Sequence, residues 1–170
     1  MDNELISRIA ELLEQVSDEN EFLYRKSTGE IIDRNPEFID ERTLEDIEVN
    51  EQDYILLPTQ YDIHEYQIMK DFALECPYEQ MRDRMLASLR GSGAFRRFKD
   101  AVYYLGIRDD WFAYRTKRFS EIAEQWCIQN GLLYTKYSTA QYRSPPQSRN
   151  SVGDFPSYAY HFSGSEKITV

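Results

Sequence analysis

The side chains best suited to binding chemistry are concentrated in one stretch, GSGAFRRFKD at residues 91–100, and in the basic helical pattern that follows it. A helix that begins near Ala94 turns by about 100° per residue, which places Arg96, Lys99 and Tyr103 on one face. Glycines before that helix permit close backbone approach, so its first turn can offer free N–H groups to an anion. The predicted anion- or partner-binding residues, two of them on the following helix, are Gly91, Gly93, Arg96, Lys99, Tyr103, Arg115 and Arg118.

The same stretch also fits a structural interpretation, in which it only joins two helices. The glycines then end one helix and start the next, and the arginines pair with the abundant acidic side chains. No Lys-Ser or Lys-Thr pair follows the glycines, so the stretch is not a phosphate-binding P-loop. No strand pattern precedes them, so it is not a dinucleotide-binding fingerprint either. An anion site and a helix–turn–helix joint both remain open at this point.

His64 is the other side chain with a chemical option, because Glu65 follows it and Asp62 lies two positions earlier. That arrangement suits a general base. However, His64 also falls on an apolar helical stripe with Ile68 and Phe72, which favours a packed, hydrogen-bonded histidine. Two distant histidines and two isolated cysteines give no metal-ligand spacing. The sequence therefore predicts no catalytic residue, no metal site and no cofactor.

Charge is strongly polarised along the chain, whose net charge is −10. Residues 1–60 carry 17 acidic and 5 basic side chains, a balance of −12, whereas residues 91–120 carry 3 and 7, a balance of +4. The acidic half repels phosphate, which argues against broad non-specific binding to nucleic acid or to anionic membranes. The acids of residues 37–53 are typical of a solvated face, with a cation or a basic partner as the alternative.

The first part of the chain carries the patterns of one helix and a small sheet. Apolar residues at helical spacing predict a helix over residues 2–16. Two β-prone runs at 21–26 and 30–34, joined by Ser27-Thr28-Gly29, predict a hairpin, and the apolar run 53–58 predicts a third strand beside it. Residues 37–48 are expected to form a short, mostly exposed helix or a loop.

Four helices are predicted after residue 60. The first runs from about Tyr61 to Cys76-Pro77, with Asp62 and Glu65 as a capping box. The second follows that proline, the third covers residues 94–105, and the fourth begins at Asp109 or Asp110 and ends at Gly131. The apolar side chains expected to face the core on the last two helices are Phe95, Phe98, Val102, Leu105, Phe112, Phe119, Ile122, Ala123, Trp126 and Cys127.

These elements predict an α+β fold, with a small antiparallel sheet of about three strands packed by a mostly helical C-terminal part. Residues 1–137 are expected to form a single domain. Residues 138–170 are rich in Ser, Pro, Gln and Asn, which indicates a polar linker and tail. The alternation SYAYHF at 157–162 allows one short strand there.

Three segments in this order resemble the uncharacterised protein family 0158. They are HEYQIMKDFA (64–73), GAFRRFKD (93–100) and WFAYRTKRFSEIAEQWCIQNG (111–131). The resemblance covers about residues 1–135. It implies a bacterial, cytoplasmic protein and supports the helical prediction, but it carries no reaction and no catalytic residue.

The predicted function is that of a non-catalytic interaction or regulatory protein that binds another macromolecule. It would use the acidic N-terminal half or the surface of Arg96, Lys99, Arg115 and Arg118. One alternative is a module that binds or converts a phosphate-containing small molecule, centred on residues 91–99. Another is a single-stranded nucleic-acid binder, since aromatic residues interleave with the arginines, a pattern that suits base stacking. These aromatic residues are Tyr103, Tyr104, Trp111, Phe112 and Tyr114. The N-terminus lacks the basic and apolar regions of a signal peptide and no apolar run is long enough to cross a bilayer, so a cytoplasmic protein is expected.

Overall fold

The computed structural model describes residues 2–17 and 20–132. The predictions for residues 138–170, including the strand at 157–162 and the domain boundary after residue 137, lie outside the described residues. Within those residues the chain is α+β, as predicted, with a small antiparallel sheet and a larger helical part.

The sheet consists of β1 (Phe22–Arg25), β2 (Ile31–Asp33) and β3 (Tyr54–Leu56) in the order β2-β1-β3. Both pairs are antiparallel, with Leu23 opposite Ile32 on one side and opposite Leu56 on the other. The predicted hairpin and third strand are therefore confirmed. The turn between β1 and β2 depends on Gly29, whose φ of 73° suits glycine and few other residues.

Seven α-helices accompany this sheet in the described part of the chain. They are α1 (Asp2–Leu13), α2 (Glu41–Val49), α3 (Gln60–Ile63), α4 (Glu65–Glu75), α5 (Glu79–Ser88), α6 (Ala94–Tyr104) and α7 (Arg108–Gln129). A 3-10 turn, Glu51–Asp53, leads into β3. Helix α2 begins where the Asp40 side chain accepts a hydrogen bond from the Thr43 backbone, and it buries no residue, as its acidic sequence predicts.

The core lies among α1, α4, α5, α6 and α7 and extends to one face of the sheet. Its centre is a set of edge-to-face aromatic contacts: the Phe72 ring lies 6.3 Å from Phe98 and 5.3 Å from Trp111, and Phe98 lies 5.0 Å from Trp111. Such packing fixes the angle between α6 and α7, because large rings interlock in few arrangements. These two helices carry most of the predicted binding residues.

The helix predicted through Tyr61 and His64 is in fact interrupted. His64 adopts a left-handed conformation with φ of 50° between α3 and α4. The break removes Tyr61 and His64 from the stripe that continues through Ile68, so both side chains are exposed and the packed-histidine prediction is wrong. The capping partner is also different, because Asp62 accepts hydrogen bonds from Thr59.

The predicted buried stripe of α6 is wrong at its first member. The buried residues are Ala94, Phe98, Ala101 and Val102, whereas Phe95 is 45% exposed. On α7, Trp111 and Tyr114 take the inward positions. Phe112, predicted to face the core, points outward and is 43% exposed.

The predicted cap of α7 is also wrong. Ile107 occupies the N-cap position without a side-chain hydrogen bond, and Asp109 and Asp110 lie inside the first turn. None of the helices in the described residues combines the length and apolar character needed to cross a bilayer.

Candidate functional site: a basic and aromatic face on helices α6 and α7

The glycine-rich junction between α5 and α6 is organised around Arg97. Its guanidinium donates to the backbone carbonyls of Ser88 (Nε, 3.1 Å), Arg90 (Nη2, 2.5 Å), Gly91 (Nη2, 3.3 Å) and Ser92 (Nη1). These carbonyls belong to the end of α5 and to the loop, where no helical partner remains for them. The junction therefore holds a cation of its own chain.

Both junction glycines have positive φ, 75° at Gly91 and 74° at Gly93. A Cβ atom at Gly93 would lie 3.2 Å from Nη1 of Arg97, which is a tight contact. The glycines thus allow the backbone turn that surrounds the Arg97 guanidinium. This arrangement matches the joint interpretation of the segment, and no second feature of the described residues points to an anion at these glycines.

A cleft between α6 and α7 brings together several of the predicted residues. Its volume is about 340 Å³, and Val102 and Trp111 form its buried floor. The charged and exposed residues that line it are Lys99, Asp100, Tyr103, Arg108, Phe112 and Arg115. Three cations therefore face one acid across the cleft, and Tyr103 supplies a hydroxyl group beside them.

Arg115 lines the cleft, but its charge is already neutralised. Its Nε lies 3.0 Å from Glu65 and its Nη1 lies 3.3 Å from Glu14, while the guanidinium stacks over the Phe119 ring at 4.5 Å. Only 14% of its side chain is exposed. Arg115 is thus a structural tie between α7, α4 and the turn that follows α1, and it adds little field to the cleft.

Arg118 does not reach this cleft. It pairs with Glu121 at 2.8 Å and lines a different groove beside β3. Arg96 lies on the exposed side of α6, outside the cleft but on the same helix as Lys99. Of the seven predicted residues, Gly91 and Gly93 therefore belong to a structural junction, Lys99, Tyr103 and Arg115 to one cleft, and Arg118 to another groove, while Arg96 lies on the exposed side of α6.

Lys99, Arg96 and Arg108 are exposed cations in and beside the cleft. None of them forms an ion pair within residues 2–17 and 20–132. The Arg108 guanidinium lies 5.1 Å from the centre of the Phe112 ring, a cation–π arrangement that holds both side chains at the cleft mouth. Tyr103 is 73% exposed. We call the set Arg96, Lys99, Tyr103, Arg108 and Phe112 the basic–aromatic face.

The perturbed titratable groups lie away from this face. Hydrogen bonds from Ser27 and Arg25 hold the pKa of Asp53 below its ordinary value. Burial and a 2.9 Å hydrogen bond to Glu75 raise the pKa of Tyr114. These shifts belong to structural contacts of the sheet and the core. The described residues contain no group of three His, Cys, Asp or Glu side chains able to hold a metal.

The chemistry available at the face is therefore binding by charge and by stacking. Flexible cations attract carboxylate or phosphate oxygens, and exposed rings bind planar or apolar groups. Sequence reasoning placed Phe112 in the core and gave no separate role to Arg97. The sequence did hold a signal for the separate role of Arg97. In the doublet Arg96-Arg97, helical spacing turns the two side chains about 100° apart, so they cannot both lie on the same face of the helix.

One comparison with known proteins identifies the family. The model of the uncharacterised protein family UPF0158 matches residues 3–144 of the 170-residue chain. The chain belongs to the UPF0158 family. The resemblance inferred from the three sequence segments is thereby confirmed, and the match extends past the end of α7. No curated protein and no solved structure matches the chain.

Proposed function

We propose that this UPF0158 protein is a non-catalytic interaction protein that binds an acidic segment of another macromolecule through the basic–aromatic face. The observation that carries the proposal is the combination of unpaired cations with exposed rings on α6 and α7. Lys99 and Arg108 face one cleft, and Tyr103 and Phe112 lie beside them. Arginine and aromatic side chains are enriched in protein interfaces, where they supply much of the binding energy.

The rest of the described chain supports selectivity for an acidic partner. Most other arginines are already used, as Arg25 bonds to Asp46 and Asp53, and Arg115 bonds to Glu14 and Glu65. The positive face stands on a molecule with a net charge of −10. An acidic partner is therefore attracted locally and repelled elsewhere, which orients its approach.

The direct test is fluorescence anisotropy with a labelled ten-residue peptide of Glu and Tyr. We expect the double substitution Arg96→Glu, Lys99→Glu to weaken binding at least tenfold. The matched control is Lys26→Glu, Lys70→Glu, which changes the net charge equally at two exposed positions outside the face. Equal loss in both variants, or no loss in either, would contradict the proposal.

A small phosphorylated ligand is the second candidate, because the cleft volume of about 340 Å³ falls within the range of ligand sites. A thermal-shift series with nucleotides and sugar phosphates tests it, since a ligand that binds the native state raises Tm with its concentration. A shift that disappears in Lys99→Ala favours this candidate, and a flat series counts against it. A single-stranded oligonucleotide in the anisotropy assay tests nucleic-acid binding, which requires a steep loss with salt.

A further inference from the structure

A second groove, different in character from the cleft, lies between the end of β3 and the C-terminal half of α7. Its volume is about 690 Å³. Leu57 and Pro58 are buried at its base, and Asp62 of α3 closes one side. We call it the acidic groove, and the α7 residues that line it are Arg118, Glu121, Ile122, Glu124, Gln125, Trp126, Ile128 and Gln129.

The floor of the acidic groove is apolar and partly open. Leu56 is 41% exposed and Ile128 is 38% exposed, although the neighbouring Trp126 is almost fully buried. Trp126 is held rigidly, because its indole N–H donates to the Leu56 carbonyl at 3.0 Å and its ring meets Tyr24 edge-to-face. The floor is thus preformed, and an apolar side chain can settle on it at small conformational cost.

Part of the adjacent sheet edge is already hydrogen-bonded within the molecule. In the β1–β3 ladder, Asp53 and Leu57 form backbone hydrogen bonds to β1 and the residue that follows it. Because successive residues of a strand alternate in direction, the backbone N–H and C=O groups of Tyr54 and Leu56 point to the free edge of β3. At that edge the Tyr54 N–H already bonds to the Glu51 carbonyl, and the Leu56 carbonyl already accepts from Trp126. These two groups are not available to an occupant of the groove, which favours recognition through side chains.

The rim of the acidic groove selects positive charge. Three carboxylates, those of Asp62, Glu121 and Glu124, line the groove with one cation, Arg118. Glu121 pairs with both Arg118 and Lys117, so the net negative charge of the rim rests on Glu124 and on Asp62, whose carboxylate accepts hydrogen bonds from Thr59. Lys99 and Arg108 of the basic–aromatic face line a different cleft of the same packed helices, so they cannot enter this groove in their own molecule. A second copy of the chain, with a net charge of −10, is repelled at low salt.

From the apolar floor and the acidic rim, we propose that the acidic groove binds a short segment of a partner protein that carries Lys or Arg beside aliphatic or aromatic side chains. From Arg118 to Gln129, α7 spans about 17 Å at 1.5 Å per residue. An extended segment of about five to seven residues covers that length. This surface is separate from the basic–aromatic face and does not depend on the function proposed for it.

The test uses the full chain and labelled synthetic peptides in anisotropy titrations. KLKWKLK matches the groove, KSKSKSK keeps its charge without apolar side chains, and ELEWELE reverses its charge. We expect KLKWKLK to bind at least tenfold more tightly than either control. The substitution Glu124→Lys is expected to weaken KLKWKLK binding at least fivefold, and Ile128→Ser at least threefold.

The matched control is Glu45→Lys, which makes the same charge change at an exposed position of α2 outside the groove. Equal weakening by Glu45→Lys and Glu124→Lys would overturn the proposal, because binding would then be non-specific charge attraction. Tight binding of KSKSKSK would overturn it too. Thermal unfolding of each variant confirms that the fold is intact, and Ile128→Ser remains a test if Glu124→Lys unfolds.

Two other occupants are distinguishable. A mass that rises with protein concentration in light scattering and falls in Glu124→Lys would assign the groove to a second copy. Trypsin cleavage after Lys136 and Arg143 that accelerates in Glu124→Lys, with cleavage after Lys167 unchanged, would assign it to this chain's own C-terminal segment. Either result would overturn the proposal of a separate partner.

Discussion

Replacing Arg97 by alanine is the perturbation with the clearest structural consequence. The guanidinium makes four hydrogen bonds, to the carbonyls of Ser88, Arg90, Gly91 and Ser92. A net hydrogen bond contributes about 1 kcal/mol, and more when one partner is charged. The side chain is exposed, so water can replace part of each bond after the substitution. We therefore expect the free energy of unfolding to fall by about 2 kcal/mol.

The neighbouring arginine provides an internal control. Arg96 is exposed on the same helical turn and makes no ion pair within the described residues, so Arg96→Ala should change stability by less than about 0.5 kcal/mol. Arg97→Lys keeps the charge but loses the fork that reaches several carbonyls, so it should recover less than half of the loss.

Urea denaturation followed by circular dichroism measures all three variants. A fall of about 2 kcal/mol corresponds to a Tm lowered by about 4–8 °C for a chain of this size. If Arg97→Ala and Arg96→Ala differ by less than about 0.5 kcal/mol, the guanidinium does not hold the α5–α6 junction and the reasoning fails.

Three further predictions concern the backbone, acid stability and the thiols. His64→Gly should raise the free energy of unfolding by about 1 kcal/mol, because glycine relieves the left-handed φ of 50°, and His64→Ala should not; urea titration compares them. Hydrogen bonds lower the pKa of Asp53 in the folded state, so they stabilise the protein at pH values above the pKa of the unfolded chain. This stabilisation is lost as the pH falls through the folded-state pKa. Asp53→Asn should therefore flatten the acid limb of a curve of unfolding free energy against pH. Burial raises the pKa of Cys127 to about 11 and also raises that of Cys76, so Ellman's reagent at pH 8 should react with neither thiol until guanidinium unfolds the chain.

Local pattern was enough to predict most of the elements. Period-2 and helical apolar spacing, together with turn residues such as Gly29 and Pro77, located the hairpin, the third strand and most of the helices. Where the local pattern failed, packing against other helices decided which residues are buried. Phe95 and Phe112 have core-type side chains at helical spacing, yet the buried positions of α6 and α7 went to adjacent residues. On α7 the buried neighbour of Phe112 is Trp111, whose ring packs edge-to-face against Phe72 across the helix interface.

At the candidate site, the contrast between what the sequence determined and what the packing decided is clearer still. The sequence by itself determined that positive charge and aromatic side chains gather in residues 91–118 of an otherwise acidic chain. It did not determine which arginines are free to bind. Arg97 is held by carbonyls of its own junction, and Arg115 by Glu65, which lies 50 positions away in the sequence. Only the packing of α1 and α4 against α7 brings those carboxylates within 3–4 Å, where charges pair strongly, and so it leaves Lys99 and Arg108 as the cations of the cleft that form no ion pair within the described residues.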